Sequence, residues 1–381
     1  MPHGAPGAAS DPALRRALLR WYGRHRRSLP WRGERDPYRV WLSEVMLQQT
    51  RVATATPYYR GFLERFPTLE SLARSREADV LAAWAGLGYY RRARHLREAA
   101  RLVVREHGRQ VPGEPGAFAR LPGVGRYTAG AVLSIAFDRA LPALDGNVAR
   151  VLSRWRALRA ALREPRGAKA LWALAAALVP ARRPGDWNQA LMELGATVCT
   201  PRAPRCGGCP VSRWCRAFAL GRVAEFPPVP ARRAGEKVRR AVVLVERRGR
   251  VLVARREGPL LGGLWEPPGV DLEPGRHATA AAVRRALRAA LAGLGVNARL
   301  TRSGHTVRHG ITHRDIQAEV WRGEPLAPVR RTARLRWVDA RRPAVALTAL
   351  ARKVIRAGQG AARSAADTRG AAPPGPHPPG R

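Results

Sequence analysis

The sequence predicts a two-domain protein, an all-α domain followed by an α+β domain, and three observations carry that expectation. The first is length, since 381 residues exceed what one hydrophobic core usually organises. The second is the text from Leu14 to about Cys215, where Ala, Leu and Arg recur at amphipathic helical spacing between short Gly/Pro breaks. The third is the change of pattern after the Pro-rich, charged stretch Arg222–Lys237 (RVAEFPPVPARRAGEK), beyond which β-branched runs alternate with helical ones. The boundaries read as a disordered N-terminus 1–11, a helical domain 12–221, a linker 222–237, a mixed domain 238–356 and a low-complexity disordered tail 357–381.

In the helical part, Asp36-Pro37 caps and opens a helix, while Phe66-Pro67 and the pair Gly86 and Gly88 interrupt others. In the mixed part, Ala241–Val245 and Val251–Ala254 flank charged residues containing Gly249 and read as a hairpin. A helix follows over about Ala278–Leu294, then strands near Asp315–Trp321 and Leu335–Val338, and a closing helix over Val345–Ile355.

Composition narrows the functional classes. No run of eighteen apolar residues exists to span a bilayer, and MPHGAPGAAS has no basic region leading into an apolar block. The expectation is a cytoplasmic protein with no membrane partner. Lys and Arg number 69 against 28 Asp and Glu, a formal charge of +41 that suits a polyanion. Arginine-rich, GC-biased coding produces the same excess, so charge alone does not choose a partner.

All four cysteines, Cys199, Cys206, Cys209 and Cys215, fall within seventeen residues, separated by six, two and five others. Clustering of this kind in a chain without an export signal reads as metal ligation before disulfide bonding. Four thiolates in one loop suit a tetrahedral zinc or an iron–sulfur cube, and spacing alone leaves both open. Arg202, Arg205, Arg213 and Arg216 lie between and beside the cysteines, giving the loop a basic character.

Leu121–Gly130 (LPGVGRYTAG) joins a short helix to a longer apolar one, Thr128–Phe137. Gly123 and Gly125 permit a tight turn whose amides, beside a helix N-terminus, can bind a phosphate. A bare GxG would be an ordinary turn.

Two acids stand in different local settings. Glu44 lies in WLSEVMLQQT among Val40, Trp41, Val45 and Leu47, company that raises a carboxyl pKa and keeps its proton for general-acid work. Asp145 opens DGNVAR ahead of a helix and reads as an N-cap, a hydrogen-bonded setting in which a carboxylate stays ionised. Such a pair can protonate a leaving group and face a developing sugar cation.

Together, WLSEVMLQQT, LPGVGRYTAG, LDGNVARVL and the cysteine spacing resemble the endonuclease III/MutY superfamily of DNA glycosylases, and its MutY-type adenine glycosylases in particular. The resemblance implies an all-α helix-hairpin-helix glycosylase domain with an iron–sulfur cluster loop, in which the four cysteines hold a 4Fe–4S cluster. It implies that Glu44 protonates an adenine ring nitrogen, that Asp145 stabilises the sugar cation, and that Tyr127 and Asn147 orient Asp145. Tyr127 occupies the place where bifunctional relatives carry a nucleophilic lysine, so base release without strand cleavage is expected. Trp31, Arg32 and Glu193 are candidates to line the adenine pocket, and Gln48 and Tyr89 to fill the gap left by the flipped base. Trp31 and Tyr89 also read as core aromatics, and Arg32 as a surface arginine.

The segment GLWEPPG (263–269) with its following helix resembles a Nudix-like domain, making the second domain α+β. Its helix, AAVRRALRAALAGLG, has no acid to bind magnesium, so the resemblance implies recognition without hydrolysis. Thr312 and His313, in RHGITHRDIQ, stand where MutY-type proteins carry a Phe-Ser-His loop that reads 8-oxoguanine; the phenylalanine is replaced by Ile311. The implied partner is double-stranded DNA containing adenine opposite 8-oxoguanine or guanine, bound by a monomer working at a bacterial nucleoid. The competing readings are an endonuclease III-like lyase, opposed by Tyr127 and Glu44, and a non-enzymatic iron–sulfur DNA-binding protein, which leaves the two acids unexplained.

Overall fold

The computed structural model describes residues 11–228, 235–258, 261–273, 279–311 and 313–367, with side chains through residue 358. The chain divides into two compact units, one of residues 1–75 and 91–232, the other of residues 76–90 and 233–381. In chain order the helices preceding the first strand are α1 (Pro12–His25), α2 (Pro37–Leu47), α3 (Val52–Arg65), α4 (Leu69–Arg74), α5 (Glu77–Ala83), α6 (Arg91–Glu106), α7 (Pro115–Ala119), α8 (Arg126–Phe137), α9 (Gly146–Arg156), α10 (Pro165–Leu178), α11 (Pro184–Thr197) and α12 (Arg216–Ala219). Of these, α5 lies in the segment grouped with the second unit.

The first unit is all-α. Helix α1 starts where a cap and an N1 proline coincide: Asp11 Oδ1 accepts the Ala13 amide at 2.7 Å, and Pro12 follows. Asp11 was expected in the disordered N-terminus; the cap and a 2.6 Å bond from Trp214 Nε1 hold it in the fold instead. Leu14, Leu18 and Tyr22 recur on one face of α1 and pack against Val148 and Leu152 of α9 and Trp187, Leu191 and Leu194 of α11. Each fully buried leucine here contributes about 1.5–3 kcal/mol. Helix α2 opens as expected, with Asp36 Oδ1 accepting the Arg39 amide at 2.9 Å and Pro37 at its first position. It packs on α8, and Trp41 meets Phe118 edge-on with ring centroids 5.2 Å apart.

The second unit carries a mixed sheet of β1 (Glu236–Arg247), β2 (Arg250–Arg255), β3 (Trp265–Glu266), β4 (Gly269–Leu272), β5 (Ala298–Ile311), β6 (Arg314–Pro325) and β7 (Leu335–Asp339), with α13 (Ala280–Ala292) and α14 (Ala349–Asp367). The strand order is β3-β2-β1-β6-β5, with β4 on β1 and β7 on β2; β1 and β6 run parallel. The expected hairpin is present. Arg247 pairs with Arg250, and the two turn residues Arg248 and Gly249 both have positive φ (49° and 72°), the geometry that matches strand twist. The apolar run of β1 serves both faces of the sheet. Val242 and Leu244 join Leu350 and Val354 of α14, while Ala241, Val243 and Val245 join Val283, Leu287 and Leu291 of α13.

Two further expected boundaries change. Glu236 and Lys237, assigned to the linker, begin β1, where they pair with Arg314 and Asp315 of β6. Residues 357–367, assigned to the tail, continue α14, an extension that an alanine-rich sequence favours. That helix starts at Ala349 because Thr348 caps it, its hydroxyl accepting the Ala351 amide at 3.0 Å. Strand β5, not anticipated, pairs along β6 with a register shift between Arg302 and Thr306 at Gly304, whose φ is +76°.

Candidate active site

The carboxylates, the hairpin and the cysteine loop all belong to the first unit. Glu44, on α2, is 6% exposed, and its Oε2 accepts a 2.7 Å hydrogen bond from the Tyr127 hydroxyl of α8. Burial is the largest influence on its pKa and raises it, nearby Asp145 adds to the rise, and the tyrosine bond and Arg32 offset part of it. Glu44 is therefore biased toward the protonated state, as its apolar neighbours imply. Tyr127 is itself desolvated beside two carboxyls, which holds its hydroxyl well above the usual phenol range and keeps it a neutral donor. Its second contact is the Met192 sulfur at 3.5 Å. Tyr127 was expected to orient Asp145; it orients Glu44.

Asp145 caps α9. Its Oδ1 accepts the Val148 amide at 2.7 Å and its Oδ2 accepts Asn147 Nδ2 at 2.8 Å. Asn147 thus holds the second carboxyl oxygen of Asp145 in place. Burial nevertheless outweighs these bonds and lifts the aspartate above its ordinary pKa, which capping alone does not foretell. Two close buried carboxyls disfavour double ionisation, so the number of donors decides where the charge sits. Asp145 has an amide, a carboxamide and the charge of Arg150 in its favour; Glu44 has one phenol and Arg32. Asp145 thus has more groups favouring its charged form than Glu44 has.

The backbone leading to Asp145 is held by Asn188, which is 1% exposed. Its Nδ2 donates to Ser134 Oγ and to the Leu141 carbonyl, both at 2.8 Å, and its Oδ1 accepts the Ala143 amide at 3.2 Å. Replacing Asn188 with alanine leaves these buried groups unpaired. The expected loss is about 3 kcal/mol, read as a lower Tm in thermal melting. An unchanged Tm would show that the clasp is dispensable.

The expected pocket residues split into two groups. Arg32 and Glu193 come together: Arg32 Nη2 donates to Glu193 Oε2 at 2.6 Å, and its Nη1 to Gln189 Oε1 at 2.7 Å. Arg27, not singled out from the sequence, adds a second guanidinium, with Nε 2.6 Å from Glu193 Oε1. The side chain of Glu193 is fully buried, and the two arginines overcome the desolvation that would raise its pKa, so it is held low. Trp31 lies in the core, 5% exposed, with its ring edge-on to Tyr59 at 5.3 Å. Gln48, at the end of α2, donates from Nε2 to Thr128 Oγ1 at 3.0 Å. Arg92 secures the same helix end through the carbonyls of Val45, Met46 and Gln48. Tyr89, in the segment grouped with the second unit, is 44% exposed with φ +49°, a left-handed conformation uncommon outside glycine.

In the hairpin, Gly123 has φ +78°, and a Cβ there would stand 2.7 Å from His95 Cβ, so glycine is required twice over. Gly125 precedes α8 with open space at its Cα and no side chain capping the helix, an arrangement suited to an anion. His313 lies between the ends of β5 and β6; its side chain is 69% exposed, with Nε2 3.6 Å from Glu236. Thr312 lies outside the described residues.

The four cysteine side chains line one small cavity together with Trp155, Leu194 and Val198. Burial raises the thiols of Cys206 and Cys215 and pushes Cys209 up to about 12. Among the described residues no three metal-ligating side chains converge on a single-ion site. Four thiols lining one largely apolar cavity are a soft donor set of the kind that holds a metal centre. Arg154, 2% exposed, directs Nη1 to Cys199 Sγ at 3.3 Å and donates to the carbonyls of Thr200, Pro201 and Phe226. One turn earlier, Arg150 donates to the Cys199 carbonyl at 2.7 Å and to Asn147 Oδ1 at 3.0 Å, linking the loop to the amide that holds Asp145.

The all-α unit bearing this carboxylate pair, hairpin and cysteine loop matches a known class of DNA repair proteins. Residues 42–176 match the model of the HhH-GPD superfamily of base excision DNA repair proteins, and residues 240–357 match that of the NUDIX domain. The chain belongs to the HhH-GPD superfamily. It is 43% identical over 323 residues to an adenine DNA glycosylase of Rattus norvegicus, covering 71% of this chain and 63% of that protein. It is 44% identical over 300 residues to one of Arabidopsis thaliana, covering 68% of this chain and 48% of that protein. The chain therefore spans about half to two-thirds of the length of these curated relatives. Among solved structures it resembles a thermostable thymine-DNA glycosylase with TM-score 0.51 and 31% identity, over 56% of this chain and 99% of that one.

Proposed function

We propose that this protein is a MutY-type adenine DNA glycosylase that removes adenine opposite 8-oxoguanine or guanine in duplex DNA, hydrolysing the N-glycosidic bond and leaving the strand intact. The observation that carries the reading is the buried, tyrosine-bound Glu44 beside a capped Asp145, with Tyr127 where a lyase would need an amine. Glu44 donates a proton to a ring nitrogen of the departing base. The charge on Asp145 stabilises the oxocarbenium sugar that remains, and water completes hydrolysis. Arg32, Glu193 and Arg27 supply a fixed set of polar groups for reading the flipped base. In the second unit, α13 has no acid, and the exposed β5–β6 turn serves lesion recognition.

Cys199, Cys206, Cys209 and Cys215 are the ligands of a 4Fe–4S cluster, whose bound role is to hold the arginine-bearing loop in shape for DNA. Purified protein should show cubane visible absorption with iron and sulfide in equal amounts; stoichiometric zinc instead would overturn this assignment.

The strand chemistry is tested on duplex product with and without alkali. Breaks should appear only after alkali; breaks without it, or a borohydride-trapped protein–DNA adduct, would restore the lyase reading. Tyr127→Phe removes a bond that lowers the pKa of Glu44, so that pKa rises further. The acid works protonated, so the alkaline limb of the rate profile should move to higher pH. A limb that stays in place would detach Tyr127 from the titration of Glu44.

A further inference from the structure

Helix α1 presents a second stripe roughly opposite its buried face. Ala13, Arg16, Ala17 and Arg20 recur at helical spacing i, i+3, i+4 and i+7, and with Pro210, Arg213 and Trp214 they line an open groove. Arg16, Arg20 and Arg213 are exposed, and the two alanines leave depth between the guanidinium groups. Among the described residues, neither Arg16 nor Arg20 has an ion-pair or hydrogen-bond partner. The wall they face is fixed. Trp214 donates its indole N–H to Asp11 at 2.6 Å, and Arg213 stacks over the indole ring at 3.8 Å. Asp11, an acid beside the groove, is already committed to that indole and to the Ala13 amide. An arginine stacked on an aromatic ring, beside two unpaired guanidinium groups, suits phosphodiester oxygens, and the net charge of +41 is compatible with such a polyanion.

We infer that this groove is a second nucleic-acid site, which binds the DNA sugar–phosphate backbone apart from the excision site. The inference rests on duplex DNA as the substrate. None of the groove residues belongs to the Glu44–Asp145 assembly. The groove wall adjoins the cysteine loop directly, since Pro210 follows Cys209 and Trp214 precedes Cys215. A loop fixed by four thiolates would therefore fix one side of the groove as well.

The test is equilibrium binding of the full chain to a long undamaged duplex across a salt series. Arg16→Gln/Arg20→Gln should reduce the slope of log affinity against log salt by about 2, and weaken binding roughly tenfold at low salt. Arg16→Lys/Arg20→Lys should restore the slope, and each single glutamine variant should lose about half the effect. Adenine release at saturating protein should match wild type. An unchanged slope in a folded double variant would overturn the proposal. An equal fall in Arg284→Gln/Arg288→Gln, which removes the same charge from α13, would also overturn it by showing only a general effect of charge. Wild-type binding with a normal slope but no adenine release would defeat the excision reading and leave the groove standing.

Discussion

Glu44→Gln should reduce adenine release on the order of 10³-fold in single-turnover assays while leaving duplex affinity within a factor of two or so, because it removes the proposed general acid and little else. The amide matches the carboxyl in volume, and its oxygen can still accept the Tyr127 hydroxyl, so the α2–α8 contact survives. What disappears is the proton. A loss of that size corresponds to about 4 kcal/mol of transition-state stabilisation, far more than one neutral hydrogen bond provides. Activity retained within tenfold would mean that another group protonates the base.

Asp145→Asn separates charge from architecture. Asparagine caps helices as well as aspartate does, so the Val148 bond and the start of α9 are preserved. The negative charge facing the sugar cation is lost, and the expected fall in rate is on the order of 10²–10³-fold, comparable to removing one preorganised electrostatic contact in other enzymes. Asp145→Ala should add a stability loss of about 1 kcal/mol from the missing cap, measurable by denaturant melting. If Asn and Ala lower the rate equally little and differ only in stability, Asp145 is a cap and nothing more.

The parts of this site legible in sequence are those set by near neighbours. Val40, Trp41 and Val45 flank Glu44 and are buried with it, so the rise in its pKa follows from local text. Asp145 with Asn147 and Val148 is a cap written in four consecutive residues. What the sequence could not show are pairings made by the fold. Tyr127 meets Glu44 across 83 residues, which redirects it from the role first given to it. Arg27 meets Glu193 across 166 residues, and nothing local separates it from its neighbours Arg24 and Arg26. A weaker signal existed for Arg150 and Arg154, charges one turn apart on a helix whose other residues are mostly apolar, the pattern of arginines that find partners inside. The same distinction holds in the second unit. The β1–β2 hairpin is announced by its turn, whereas β5 hides because polar residues and a bulge at Gly304 break its alternation.

The most direct test of the account is single-turnover release of free base from duplexes carrying adenine opposite 8-oxoguanine, guanine or thymine, alongside thymine opposite guanine, with the product identified by mass. The proposed activity releases adenine from the first two and nothing from the others. Thymine release, or binding to all four duplexes with no base released, would contradict it.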